Sequence, residues 1–152
     1  MQQPIVISGA GILGCYISCA LSLQGIDSIV LEKKDDEVED SVRTITLNPF
    51  SKNLLDKIGI ENDYSMINKM EVKDFDGTGK IVFKSSEIGM DHLAYVSDFA
   101  TLLMAVRKKA SEKILYKEEI IDIDNKGDLN KVTLSSGKVI KTNLIISSDG
   151  KN

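Results

Sequence analysis

Ile5-Val6-Ile7-Ser8-Gly9-Ala10-Gly11-Ile12-Leu13-Gly14 decides the fold of this chain. Ile5-Val6-Ile7 is a β-branched run, apolar on both faces as a buried parallel strand is. Three glycines follow in G-x-G-x-x-G spacing, and an apolar helical stretch then runs to about Gln24. Gly25 stands where a helix commonly ends in a left-handed residue. Ser28-Ile29-Val30-Leu31 is a second strand, and the strand–helix–strand unit takes about 30 residues, as a βαβ unit requires. This order predicts an α/β fold built on a parallel sheet.

Each glycine has a physical task. A β-carbon at Gly9 would block the tight turn, one at Gly11 would keep the backbone away from a pyrophosphate, and one at Gly14 would hold the helix off the sheet. The helix N-terminus then offers unpaired N–H groups and a partial positive charge to phosphates. Glu32 ends the second strand, at the position about 20 residues on where an acid takes the ribose hydroxyls. Its carboxylate would also repel a 2′-phosphate, which argues against NADP at this site. Gly9, Gly11, Ile12, Leu13, Gly14, Glu32 and Lys33 are therefore candidate contacts of a dinucleotide. A structural glycine turn and a surface acid beside Lys33 and Lys34 are the plainer alternatives. These two motifs leave FAD and NAD open, since both present an ADP half.

The remainder of the chain alternates in character. An acidic polar loop spans Asp35 to Ser41. Asn48 and Pro49 read as the N-cap and first residue of a helix that ends before Gly59, with Leu54, Leu55 and Ile58 as its apolar stripe. Met66 to Phe75 and Lys80 to Phe83 read as two strands of a hairpin around Asp76-Gly77-Thr78-Gly79. Ser97 or Asp98 caps a third helix through Ala110, with Phe99, Leu102, Leu103 and Val106 on its buried face. Ile114-Leu115-Tyr116 is a short strand. Glu119 to Asp124, Lys131 to Leu134 and Lys138 to Lys141 form a meander with turns at Gly127 and Gly137. Asn143 to Ser147 is a last strand, with Asp149-Gly150 just past its carboxyl end.

Composition narrows the function. The chain has 152 residues and a formal net charge of -4, and Arg43 and Arg107 are its two arginines. A nucleic-acid surface would need a basic face. Cys15 and Cys19 lie four apart on one helical face and are expected to pack as small apolar groups, in keeping with a reducing cytoplasm. With His92 as the one histidine, no metal site is expected. His92 reads as a solvated loop residue, and no side chain presents itself as a catalytic acid, base or nucleophile. No apolar run reaches the roughly 20 residues of a membrane span, and Met1-Gln2-Gln3-Pro4 lacks the basic start of a signal peptide.

Three further stretches carry a resemblance. Ser41-Val42-Arg43-Thr44-Ile45-Thr46-Leu47-Asn48-Pro49-Phe50-Ser51, ending in Ile58-Gly59-Ile60, resembles the segment after the second strand in class A flavin monooxygenases. These are the para-hydroxybenzoate hydroxylase-like proteins, and within them the ubiquinone-biosynthesis hydroxylases look most similar. Leu93-Ala94-Tyr95-Val96-Ser97-Asp98-Phe99 is similar to the family's strand leading into a helix, although Ser97 stands where the family often has a basic residue. Leu144-Ile145-Ile146-Ser147-Ser148-Asp149-Gly150 is similar to its apolar strand followed by Asp-Gly, with Ser148 in place of a small alanine.

The resemblance implies an FAD-binding Rossmann-like domain over 1–65 and 97–152, with 66–96 inserted as part of a substrate-domain sheet. It implies FAD as cofactor, with Arg43 reaching the pyrophosphate or ribityl region, Ile120 offering backbone groups to the adenine, and Asp149 and Gly150 beside the flavin. In the family reaction NADH or NADPH reduces FAD, and the reduced flavin activates dioxygen to hydroxylate an aromatic ring. The later Gly-Asp motif, most of the substrate sheet and the C-terminal helices are missing, so the chain is expected to be an N-terminal portion that hydroxylates nothing alone. Strand edges and apolar surface would favour a homo-oligomer or a complementing C-terminal chain. The expected location is cytoplasmic, with peripheral association at the inner membrane as the alternative. The rival readings are a different FAD oxidoreductase, a non-catalytic nucleotide-binding or assembly module, and a small NAD-dependent dehydrogenase. The last is disfavoured because no second mononucleotide-binding half is visible.

Overall fold

The computed structural model describes residues 3–38 and 42–150. The part of the acidic loop at 39–41 lies outside the described residues. By contact density the chain divides into two compact units, Met1–Asp40 with Leu103–Asn152, and Ser41–Leu102.

The first unit is built on a parallel sheet. Strands β1 (Ile5–Ser8) and β2 (Ser28–Glu32) are joined by helix α1 (Ile12–Leu23), and the edges are β8 (Ile114–Tyr116) and β12 (Ile145–Ser147). The strand order is β12-β1-β2-β8. Every pairing is parallel, with Val6 opposite Ile29 on one side and Ile145 on the other. The glycine at the end of α1 behaves as expected: Gly25 has φ +70° and donates to the Ser22 carbonyl.

Strand alternation sends the β1 and β2 side chains to two faces. One face is covered by the antiparallel meander of β9 (Ile120–Asp124), β10 (Asn130–Leu134) and β11 (Val139–Thr142). Val6 and Leu31 pack there with Val132, Leu134 and Ile140, and Ile29, Leu115, Ile120 and Ile145 close the margin. Helix α1 lies along β1 and β2 and buries Cys15, Ser18 and Cys19. The Ser18 and Ser28 hydroxyls satisfy each other at 2.8 Å inside this buried layer. Both cysteines are free and buried.

The second unit is antiparallel. Strand β3 (Thr44–Leu47), helix α2 (Pro49–Lys57), β4 (Ser65–Ile67), β5 (Lys69–Lys73), β6 (Lys80–Lys84) and β7 (Ala94–Asp98) follow in order. Helix α3 (Phe99–Ala110) runs across the division of the chain. Asn48 caps α2 as anticipated, its Oδ1 accepting from Ser51 N–H at 2.7 Å. For α3 the cap is Asp98, whose Oδ1 accepts from Thr101 N–H at 2.7 Å. Ser97 is buried, and its hydroxyl accepts from Asn62 Nδ2 at 2.6 Å.

Two local expectations are corrected here. Met66 to Phe75 is not one strand: β4 pairs with β7, while β5 pairs with β6. The chain changes partner at Asn68, whose carbonyl accepts from Ser85 N–H. His92 is half-buried rather than solvated, with Nδ1 2.6 Å from Asn68 Oδ1 and its ring edge-on to Tyr95. Among the described residues no helix is long and apolar enough to cross a membrane, and no cluster of metal-ligating side chains forms.

Candidate cofactor site

The carboxyl ends of β1, β2 and β12 meet at one rim of the parallel sheet, where open α/β sheets bind their ligands. A cleft of about 330 Å³ opens there, within the size range of ligand pockets. Its walls include Gly9, Glu32, Lys33, Ile120, Ser147 and Asp149.

The glycine turn leads from β1 into α1. Gly9 has φ +98°, and a β-carbon there would sit 2.7 Å from the Ser148 carbonyl oxygen and Asp149 Cα. A β-carbon on Gly14 would collide with the Gly9 carbonyl and come within 2.6 Å of Ser148 Oγ. At Gly11 a β-carbon would meet nothing within 4 Å. Two of the glycines are thus required by packing, while the third faces open space. Gly11 is the N-cap of α1, and among the described residues no side chain caps the helix there. Its first-turn N–H groups, from Ile12, Leu13 and Gly14, precede the first intrahelical acceptor and have no carbonyl four residues back within the helix. The exposed Leu13 side chain stands beside this end.

Glu32 is held tightly. Its Oε2 accepts from Ala10 N–H at 3.0 Å, and its Oε1 accepts from Lys34 N–H at 3.1 Å. Arg107 of α3 places Nη2 3.4 Å from the same Oε2 and donates from Nε to the Ala10 carbonyl at 2.9 Å. The Glu32 backbone carbonyl accepts from Glu118 N–H, beyond Lys117, which adopts φ +59° to make the bend. Arg107 is a residue the sequence reading missed. It lies 75 positions from Glu32 on a helix whose pattern announces only its apolar face.

Asp149 closes the other side. Ser147 Oγ donates to it at 2.7 Å and Ser8 Oγ at 3.3 Å. The Ser147 hydroxyl first, then the residue's own backbone N–H and the Ser8 hydroxyl, hold its carboxyl below the usual carboxylate range against some desolvation, with a smaller contribution from the Lys33 charge. Ser148 lies 2.8 Å from the Ser8 carbonyl and 3.1 Å from that of Gly9, so its hydroxyl ties the β12 end to the glycine turn. Gly150 follows at φ +79°. Arg43 belongs to the other unit, where its guanidinium lies 4.2 Å over the Phe99 ring.

A cradle that a β-carbon would fill at Gly11, uncapped helix N–H groups and a carboxylate at the neighbouring strand end together fit the ADP half of a dinucleotide. A family model described as "FAD binding domain" matches residues 2–151. The chain belongs to this FAD-binding family. FAD is therefore the dinucleotide that the family implies for this chain.

Among relatives of this FAD-binding chain, the mitochondrial ubiquinone biosynthesis monooxygenase COQ6 of Danio rerio is 26% identical, covering 97% of this chain and 36% of its own length. The 3-demethoxyubiquinol 3-hydroxylase of Escherichia coli K12 is also 26% identical, covering 99% of this chain and 42% of its own. The chain thus spans well under half the length of these curated relatives. HpxO of Klebsiella pneumoniae, solved in complex with FAD, superposes with a TM-score of 0.77 at 18% identity, over 98% of this chain and 40% of that one. That likeness establishes the shared fold.

Proposed function

We propose that this chain is the FAD-binding portion of a flavin monooxygenase that hydroxylates an aromatic ring in ubiquinone biosynthesis, drawing on NADH or NADPH and dioxygen. The carrying observation is the open face of Gly11 beside the fixed Glu32 carboxylate. The names of the two curated relatives support the pathway. FAD, when bound, supplies the redox chemistry, and the protein supplies binding, orientation and exclusion of water.

On this reading the N–H groups of Ile12, Leu13 and Gly14 take the pyrophosphate. Glu32 takes the adenosine ribose, with Lys33 at the same rim. Ile120 lies along the adenine, and Asp149-Gly150 lies toward the flavin. Arg43 enters the proposal by the family resemblance. The antiparallel strands within 66–96 belong to a substrate sheet, and 1–65 with 97–152 to the cofactor domain.

The test is a visible absorption spectrum of the purified protein, followed by FAD titration. Saturable binding is expected, abolished in Gly11→Ala and weakened in Glu32→Ala. A folded protein that shows no flavin spectrum and no saturable binding would sink the proposal.

A further inference from the structure

Resting on the dinucleotide reading above, we propose that Arg107 is a positioning residue that fixes the ribose-reading carboxylate and the phosphate turn in one geometry before any cofactor arrives. The centre of the arrangement is the Ala10 residue, fully buried between Gly9 and Gly11. Its N–H donates to Glu32 Oε2, and its carbonyl accepts from Arg107 Nε. Arg107 Nη2 closes the ring on the same Oε2. One guanidinium therefore holds a strand-end acid and a turn carbonyl at once.

The arrangement divides the labour of the carboxylate. Oε2 is occupied by the turn and the arginine. Oε1 accepts from Lys34 N–H and retains lone-pair capacity for a hydroxyl donor. Losing Arg107 would free the carboxylate to rotate and exchange these roles. A lysine cannot replace it, because a single ammonium lacks the planar fork that meets two acceptors in fixed directions. The side chains are enclosed, Arg107 being 12% and Glu32 13% exposed. Arg107 Nη1 is buried with no hydrogen-bond partner among the described residues. Burying a guanidinium with one nitrogen unsatisfied is costly. The cation–π contact with the Tyr116 ring, 5.7 Å from the guanidinium carbon, offsets part of that cost but does not direct the N–H donors at an acceptor. The clamp on Ala10 and Glu32 does.

The experiment compares wild type with Arg107→Lys in two ways. ADP and 2′-deoxy-ADP are titrated by calorimetry, and exchange of the Ala10 amide is followed by NMR. Arg107→Lys is expected to weaken ADP binding about ten- to hundredfold. The preference for ADP over 2′-deoxy-ADP should shrink with it, and the Ala10 amide should exchange faster. A folded Arg107→Lys that keeps the wild-type preference and the wild-type Ala10 exchange overturns the proposal, whatever its melting temperature. Glu32→Gln is the second variant if Arg107→Lys does not fold. It keeps the side-chain length, removes the charge that Arg107 faces, and is expected to speed Ala10 exchange; unchanged exchange in it also overturns the clamp. Wild type that binds neither FAD nor ADP refutes the dinucleotide reading, and with it the role of Arg107 toward ribose. The Ala10 exchange rates report separately on whether the clamp exists.

Discussion

Gly11 and Gly14 stand three residues apart in one motif, yet the structure gives them opposite sensitivities. A methyl group on Gly14 has no room, because the Gly9 carbonyl and Ser148 Oγ already occupy its place. Gly14→Ala must push the helix or the turn, and a loss of about 1–3 kcal/mol or more is expected from such overpacking. Gly11 has φ -73°, which any residue adopts, and open space beyond it. Gly11→Ala should fold with a melting temperature close to wild type and still fail to bind FAD, since the added methyl occupies the approach of the phosphates. Thermal melts paired with FAD titration separate the two. A Gly14→Ala protein as stable as wild type, or a Gly11→Ala protein that binds FAD normally, would contradict this assignment. The glycine spacing and Glu32 were legible because they are local signals with a fixed offset. Arg107 was not, because its partners are brought to it only by the folded sheet. Ser148 looked like a mild exchange for alanine in sequence, but its hydroxyl bonds the very turn it borders.

Helix α1 shows what a single element's pattern can disclose. Cys15 and Cys19 at i, i+4 announced a buried stripe, and both are enclosed against the sheet. Burial pushes the Cys15 thiol from its ordinary 9.0 up to about 12, the nearby Arg107 charge opposing the shift only in part, and it raises Cys19 in the same direction. The folded state thus holds these protons where the unfolded chain releases them. Their contribution to stability is complete below pH 9 and is lost as pH rises from there toward 12. Urea melts between pH 8 and 11 should show a steeper decline in wild type than in Cys15→Ala. At pH 8 a thiol reagent should label neither cysteine until the protein is unfolded. Parallel slopes, or rapid native labelling, would show that the thiols are not held as described. The hairpin of β5 and β6 was equally readable, from Asp-Gly between apolar runs. The break between β4 and β5 was not. A strand's own alternation records which face is apolar and says nothing of which neighbour it pairs with, and the partner changes at Asn68.

At the scale of the molecule, the first unit is assembled from two distant stretches of chain, and every wall of its cleft comes from one or the other. β8 joins the edge of β2 and β12 joins the edge of β1, so the rim that carries Glu32 also receives Asp149. The parallel sheet and its meander could be expected from the order of strands and turns. The clustering of side chains at the rim depends on these late strands returning to early ones, which no local periodicity encodes. A ligand that binds only the folded form stabilises it in proportion to the logarithm of its concentration over Kd, about 2.7 kcal/mol at a hundredfold excess. Because the cleft is walled by both stretches, that gain should register on both. In hydrogen exchange with saturating FAD, protection is expected to rise at the start of α1, at the ends of β1, β2 and β12, and along β9. The β5–β6 hairpin, with Val72 and Ile81 more than half exposed, has no wall in the cleft and is expected to exchange as it does without FAD. Protection confined to the first forty residues would mean that the glycine turn and Glu32 bind alone, and that the returning strands are scaffold rather than site.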